Sequence, residues 1–169
     1  MRNGAGRPAV FLDRDGTLIE DVGYPRDPET VRLLQGAVEA LVALRRAGYA
    51  LVVVSNQSGI GRGIVKQEQA EAVHERFVEE LRAHGVELDD VRYCPHTPED
   101  ACDCRKPAAG LLLASADELG IDLARSFMVG DNPTDVDAGR AAGCRTVLLG
   151  GEGAADWDEA LAHLLGAKT

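Results

Sequence analysis

Aromatic residues are scarce in this chain: one Trp, three Tyr and three Phe make up 4% of its 169 residues. A core built mainly of rings is excluded, so the interior has to be packed with aliphatic side chains. Long hydrophobic runs are also missing. Nowhere do 18 apolar residues follow one another, and the opening MRNGAGRPAV has cations but no apolar segment. Neither a membrane-spanning helix nor an export signal is expected, and the expected location is the cytoplasm. Positive charge is in deficit, with 18 Lys and Arg against 28 Asp and Glu for a net −10. Nucleic acid and anionic membrane are repelled by such a surface, so neither is expected as a partner, and an anionic substrate has to be captured by local cations. Cysteines number four, with no C-x-x-C pair among them. In a reducing compartment this excludes a disulfide scaffold and a thioredoxin-like redox motif.

What is present is ordinary for a globular chain: 45% hydrophobic and 27% charged residues, with 19 glycines for tight turns. The length suits a single domain over residues 1–169, without a repeat, linker or inserted cap. AVFLD (9–13), ALVVVSN (50–56), SFMVGD (126–131) and RTVLLGG (145–151) are short aliphatic runs stopped by polar residues, as in strands buried on both faces; VRYC (91–94) reads as a further short strand. Helical stretches at 36–49, 67–85, 109–120 and 134–143 alternate with them, most ending in Gly. The pattern predicts an α/β fold, a doubly wound, mostly parallel, Rossmann-like sheet. The acidic segment 152–163 reads as a terminal amphipathic helix with Trp157 packed inward.

In such sheets ligands bind beyond the carboxyl ends of the strands. The strand stops there offer Asp13 with Asp15, Ser55 with Asn56, the cysteine loop, and Asp131 with Asn132. Any one acid alone would cap a helix or start a turn. Converging acids repel one another unless a cation lies between them, and hard oxygen ligands suit Mg²⁺. In DRDGTL (13–18), Gly16 permits a sharp turn and Asp15 returns to the same side as Asp13. One carboxylate can attack phosphorus while the other protonates the leaving oxygen and later deprotonates water.

The run D-x-D-G-T after an apolar strand resembles the first motif of the haloacid dehalogenase superfamily of phosphohydrolases, and Ser55, Lys106 and GDNPTD (130–135) match the remaining three in order. The resemblance implies Asp13 as nucleophile and Asp15 as general acid and base, with Ser55 and Lys106 holding the phosphoryl group. It implies Mg²⁺ on Asp13, Asp15 (by its backbone carbonyl) and Asp131, with Asp135 supporting them.

CPHTPEDACDCRKP (94–107) spaces Cys94, His96, Cys102 and Cys104 as C-x-H-x5-C-x-C, four N and S ligands that fill a tetrahedron around Zn²⁺. An unmetallated polar loop is the other reading. A filled site has no open position for catalysis, so the expected role of the loop (94–104) is to fix Arg105 and Lys106, with Pro107 starting a helix. The clip narrows the resemblance to a capless branch containing heptose bisphosphate and histidinol-phosphate phosphatases. DVGY (21–24) and SNQSGIGRG (55–63) are closer to the former, which implies substrate contacts at Asp21, Gly23, Tyr24, Asn56, Gln57, Ser58, Arg105 and Asn132. The short clip is closer to the histidinol type, and Asn132 stands where the heptose enzymes carry lysine. The expected substrate is a small phosphorylated sugar, a heptose bisphosphate first and histidinol phosphate second, handled by a monomer. A receiver-type phosphoacceptor domain shares the sheet, but the D-x-D-G-T order and the clip oppose it. His74, His84 and His163 are expected to be solvated, and Cys144 to be a small buried hydrophobe.

Overall fold

The computed structural model describes residues 6–150 and 153–166. Strands and helices alternate: β1 (Ala9–Leu12), α1 (Ala37–Arg46), β2 (Ala50–Asn56), the single turn α2 (Ser58–Gly61), α3 (Gln67–Ala83), β3 (Asp90–Cys94), α4 (Gly110–Leu119), β4 (Phe127–Gly130), α5 (Pro133–Ala142), β5 (Arg145–Leu148) and α6 (Trp157–Gly166). The five strands are parallel in the order β3-β2-β1-β4-β5, so the winding reverses at β1. That reversal opens a crevice beyond the ends of β1 and β4, where crossovers leave in opposite directions.

The aliphatic runs are strands because each alternates its side chains between two covered faces. Val10, Leu12, Leu51, Val53, Phe127 and Val129 face α1, α3 and α6 in one core. Phe11, Val52, Val54 and Met128 face α4 and α5 in the other. Register carries the strand ends to one edge: Leu12 lies opposite Val53 and Val129, and the Asp13 amide donates to the Val129 carbonyl. The Asp13 side chain thus emerges level with the end of β4.

Two local expectations are corrected, and one turn is added. Pro107 does not begin a helix: Lys106–Pro107 is a cis peptide in a turn closed by Ala108 N–H to the Arg105 carbonyl, and α4 starts at Gly110. The terminal helix runs over 157–166 rather than 152–163, because Asp156 accepts from the Glu159 amide and caps it there; residues 151–152 lie outside the described set. The turn α2, which no hydrophobic period announced, follows β2 directly and rests its Gly61 amide on the Pro95 carbonyl of the cysteine loop.

Candidate active site

Four strand ends supply the site. After β1 the chain turns at Gly16, whose φ is +84°; a Cβ built there would lie 2.2 Å from Asp131 Oδ2. Only glycine provides both that backbone and the space for the Asp131 carboxylate. Gly130, in ordinary strand conformation, leaves space for Asp135, whose Oδ2 would be 2.2 Å from an added Cβ. Thr17 ties the two motifs together by donating from its hydroxyl to Asp131 Oδ1 at 3.2 Å. Past β4, Asn132 caps α5 by accepting from the Thr134 amide, while Asp135 accepts from the Asn132 amide. This reciprocal cap points Asp135 back beneath the site.

Asp13, Asp131 and Asp135 each offer an oxygen to a cluster spanning no more than 4.8 Å. Into it projects Lys106, only 2% exposed, whose Nζ donates to Asp13 Oδ1 at 2.9 Å, to Asp135 Oδ1 at 2.5 Å and to the Val54 carbonyl at 2.8 Å. Burial opposes charge on Lys106, but Asp13 and Asp135 outweigh it and hold its pKa above the ordinary lysine value. Asp131 sits at the exposed rim of the cluster; partial burial of its carboxylate, then Asp13 and Asp135, push it up to about 7. Burial and Asp13 also raise Asp135, with Lys106 in opposition. Three carboxylates against one ammonium leave surplus negative charge, and the raised Asp131 registers it. A divalent cation there fits the donor set.

Asp15 stands apart from that cluster. Arg14 forks its carboxylate through Nε and Nη2, both at 3.1 Å, and Gln57 Nε2 donates to Asp15 Oδ2 at 2.6 Å and to Ser55 Oγ at 2.9 Å. The polar pocket over the acids, about 290 Å³, is lined by Asp21, Gly23, Ser55, Asn56, Ser58, Arg105 and Asn132 as well as by the acids and Lys106. Tyr24 and Gln57 line a smaller recess beside it, with Tyr24 packed over Gly59. Two of the expected substrate contacts are occupied within the protein. Asn56 pairs both ends of its amide with the Lys106 backbone at 3.0 Å, and the Gln57 amide nitrogen is committed to Asp15 and Ser55. Asp21 accepts from the Gly23 amide and so shapes its own turn.

At the end of β3, Cys94, His96, Cys102 and Cys104 gather. The separations from His96 Nδ1 to Cys94 and Cys104 are 3.4 and 3.3 Å, and the sulfurs are 3.6, 3.5 and 2.9 Å apart. Ligands around tetrahedral zinc stand about 3.5–3.8 Å apart, so the cluster could close on that ion with little adjustment. Burial pushes the Cys94 thiol up to about 12. Arg105 is tied to the loop twice, by its amide to Cys102 Sγ and by Nη1 to the His96 carbonyl, both at 3.3 Å.

Arg14, Thr17, Tyr93 and His74 were missed as supports of the site. His74 is half-buried rather than solvated, with Nδ1 2.5 Å from the Tyr93 hydroxyl. Nothing in the sequence signals this pair, because β3 and α3 meet only in the folded chain. His84, by contrast, sits at an exposed helix end. Cys144 is buried as expected, and Trp157 packs in the core while donating to the Thr17 carbonyl.

A parallel sheet that brings three acids, a buried lysine and a strand-end serine to its switch point defines a metal-assisted phosphohydrolase. The HAD-hydrolase-like family model matches residues 103–165. The chain is 45% identical over 151 residues to a D-glycero-beta-D-manno-heptose-1,7-bisphosphate 7-phosphatase of Photorhabdus laumondii, covering 85% of this chain and 80% of that one. It is 42% identical over 166 residues to the protein of that name from Escherichia coli K12, with 89% and 87% covered. Among solved structures, a putative HAD-like phosphatase from Mesorhizobium loti superposes with a TM-score of 0.87 at 38% identity, covering 97% of this chain and 87% of that one. The D,D-heptose 1,7-bisphosphate phosphatase of B. bronchiseptica, complexed with magnesium and phosphate, gives 0.85 at 30% identity, with 95% and 99% covered. The chain belongs to the haloacid dehalogenase-like hydrolases, and it is a phosphatase of that family, which uses a divalent metal.

Proposed function

We propose that the protein removes the 7-phosphate of D-glycero-D-manno-heptose 1,7-bisphosphate, with Mg²⁺ at the acids and Zn²⁺ in the clip. The observation that carries the chemistry is Lys106 Nζ, buried and 2.9 Å from an oxygen of Asp13, beside the carboxylates of Asp131 and Asp135. A carboxylate so flanked attacks phosphorus while the ammonium neutralises the equatorial oxygens of the transferring group. The bond from phosphorus to the sugar oxygen breaks, and Asp15 gives that oxygen its proton. Water then attacks the aspartyl-phosphate and passes a proton back to Asp15, which frees inorganic phosphate and Asp13. Asp13, Asp131 and the Asp15 carbonyl would hold Mg²⁺, which would supply charge neutralisation at the phosphoryl oxygens. Ser55 Oγ and the amides around it hold the group in line.

The relatives named as heptose bisphosphatases support the sugar bisphosphate, and so does Arg105, which lines the pocket beside the reacting centre. Its fork suits a second, remote phosphate better than a lysine ammonium would. We further propose a monomeric, single-domain enzyme of the cytoplasm. Its clip needs reduced thiols, which suits that compartment. Phosphate release from heptose 1,7-bisphosphate and from histidinol phosphate, measured as kcat/KM with Mg²⁺, tests the substrate. The bisphosphate is expected to exceed histidinol phosphate by at least about 10²-fold, the value of one forked contact plus its desolvation. A preference for histidinol phosphate overturns the reading, and in the Arg105→Ala variant the loss should be confined to the bisphosphate.

A further inference from the structure

Arg14, the residue between nucleophile and acid, does not enter the chemistry, yet it is 2% exposed and uses three nitrogens. Two fork Asp15; the third, Nη1, donates to the Tyr93 hydroxyl at 3.3 Å. Tyr93 Oη in turn lies 2.5 Å from His74 Nδ1, the two rings meeting edge to face at 5.2 Å. Arginine can only donate, so the Tyr93 oxygen accepts from it; with the histidine proton on Nε2, the Tyr93 hydroxyl donates to Nδ1 and each group has its partner. A neutral imidazole is needed for this, and burial together with Arg14 lowers the His74 pKa. In that tautomer every donor from α3, across β3, to the Asp15 carboxylate meets an acceptor.

Packing alone does not impose that pose. Arg14 borders a pocket of about 300 Å³, lined also by Tyr93, His74, Gln57, Ile60 and Val73 among others. Arg14 has room to swing into it, drawing Asp15 along, unless something holds its third nitrogen. We infer that Tyr93 and His74 are positioning residues for the general acid: Tyr93 anchors Arg14, His74 aims the Tyr93 hydroxyl, and Arg14 presents Asp15 to the leaving oxygen. The inference rests on Asp15 acting as general acid, and it adds two residues from distant elements to that role.

The test is a comparison of leaving groups. For this two-step route, kcat/KM covers events up to departure of the leaving group, so it excludes hydrolysis of the aspartyl-phosphate. A sugar hydroxyl needs a proton to leave, whereas p-nitrophenolate hardly does. Tyr93→Phe keeps the ring and removes one oxygen. Its kcat/KM should fall about fivefold to tenfold on the sugar bisphosphate, the weight of one buried hydrogen bond, and less than about twofold on p-nitrophenyl phosphate. His74→Phe should show the same selectivity, and His74→Gln, whose amide oxygen can accept from Tyr93, should restore most of the loss. Equal losses on both substrates, or no loss, would overturn the positioning role. Asp15→Asn separates the two layers of the argument. If it is selective for the poor leaving group while Tyr93→Phe is not, only the positioning inference fails; if Asp15→Asn is not selective either, the acid assignment fails and takes the inference with it.

Discussion

At the scale of single residues, the site is governed by where charge is left uncompensated. Asp13→Asn should abolish turnover with the fold retained, because an amide cannot attack phosphorus; more than a few per cent of wild-type phosphate release would refute the nucleophile. Lys106 is a different case, since it neutralises Asp13 and Asp135 in a buried setting. Lys106→Met leaves two unpaired carboxylates and should cost about 3–5 kcal/mol at pH 7.5 in metal-free protein. The pH dependence has a definite sign. Asp135 already has a raised pKa, so the folded state holds protons that the unfolded chain has released, and stability falls as pH rises through that window. The penalty in Lys106→Met should therefore shrink toward pH 5.5. Urea denaturation at the two pH values checks it, and a constant penalty would contradict the pairing.

At the scale of elements, a strand-end turn and a clip do the positioning. Gly16→Ala sets a methyl where Asp131 has its carboxylate and forces a left-handed φ on alanine. Because the obstructed atom is at the end of a side chain, the carboxylate should move before the fold yields. We expect the metal concentration for half-maximal activity to rise at least about tenfold while stability falls only about 1 kcal/mol, the usual strain of a non-glycine residue at such a φ. Activity titrated with Mg²⁺, alongside a melting curve, measures both. The clip carries Arg105 on Cys102 and His96, and the next residue is Lys106. Stripping zinc, or replacing Cys102 by Ser, should lower kcat/KM without altering the Mg²⁺ requirement, since no ligand position is open for catalysis. Metal analysis with parallel kinetics decides it: a zinc-free sample of undiminished kcat/KM rules out the positioning role.

At the scale of the whole molecule, an acidic protein has to attract an anionic substrate to an acidic centre. A divalent metal at the acids would resolve that conflict, and its binding would be linked to Asp131, whose carboxylate is pushed up to about 7 by burial, Asp13 and Asp135. A proton must leave as the cation enters, so apparent metal affinity should rise up to about tenfold per pH unit below 7 and level off above it. Without metal the sign is reversed: Asp131 favours the folded state at low pH and that contribution disappears as pH rises toward 7. Melting temperatures at pH 5.5 and 8.0, with chelator and with Mg²⁺, should show the gain from Mg²⁺ concentrated at pH 8.0. An equal gain at both values would remove Asp131 from the metal site.

The sequence by itself determined the sheet, because a strand covered on both faces must be aliphatic throughout and its end must be polar. AVFLD and SFMVGD announce both facts within a few residues. It also determined the candidate metal ligands, whose chemistry depends on residue type and short spacing: Cys94, His96, Cys102 and Cys104 lie within eleven positions. Only the tertiary structure decided how those groups are employed. Asn56 and Gln57 look free in the sequence, yet the fold commits one to the Lys106 backbone and the other to Asp15 and Ser55. Likewise Arg14, Tyr93 and His74 come from β1's loop, β3 and α3, between 19 and 79 residues apart in sequence where they bond. The physical reason is range. Burial pattern, turn geometry and ligand type are local properties that a few residues encode, whereas a hydrogen-bond partner is fixed only when packing brings distant elements within about 3 Å.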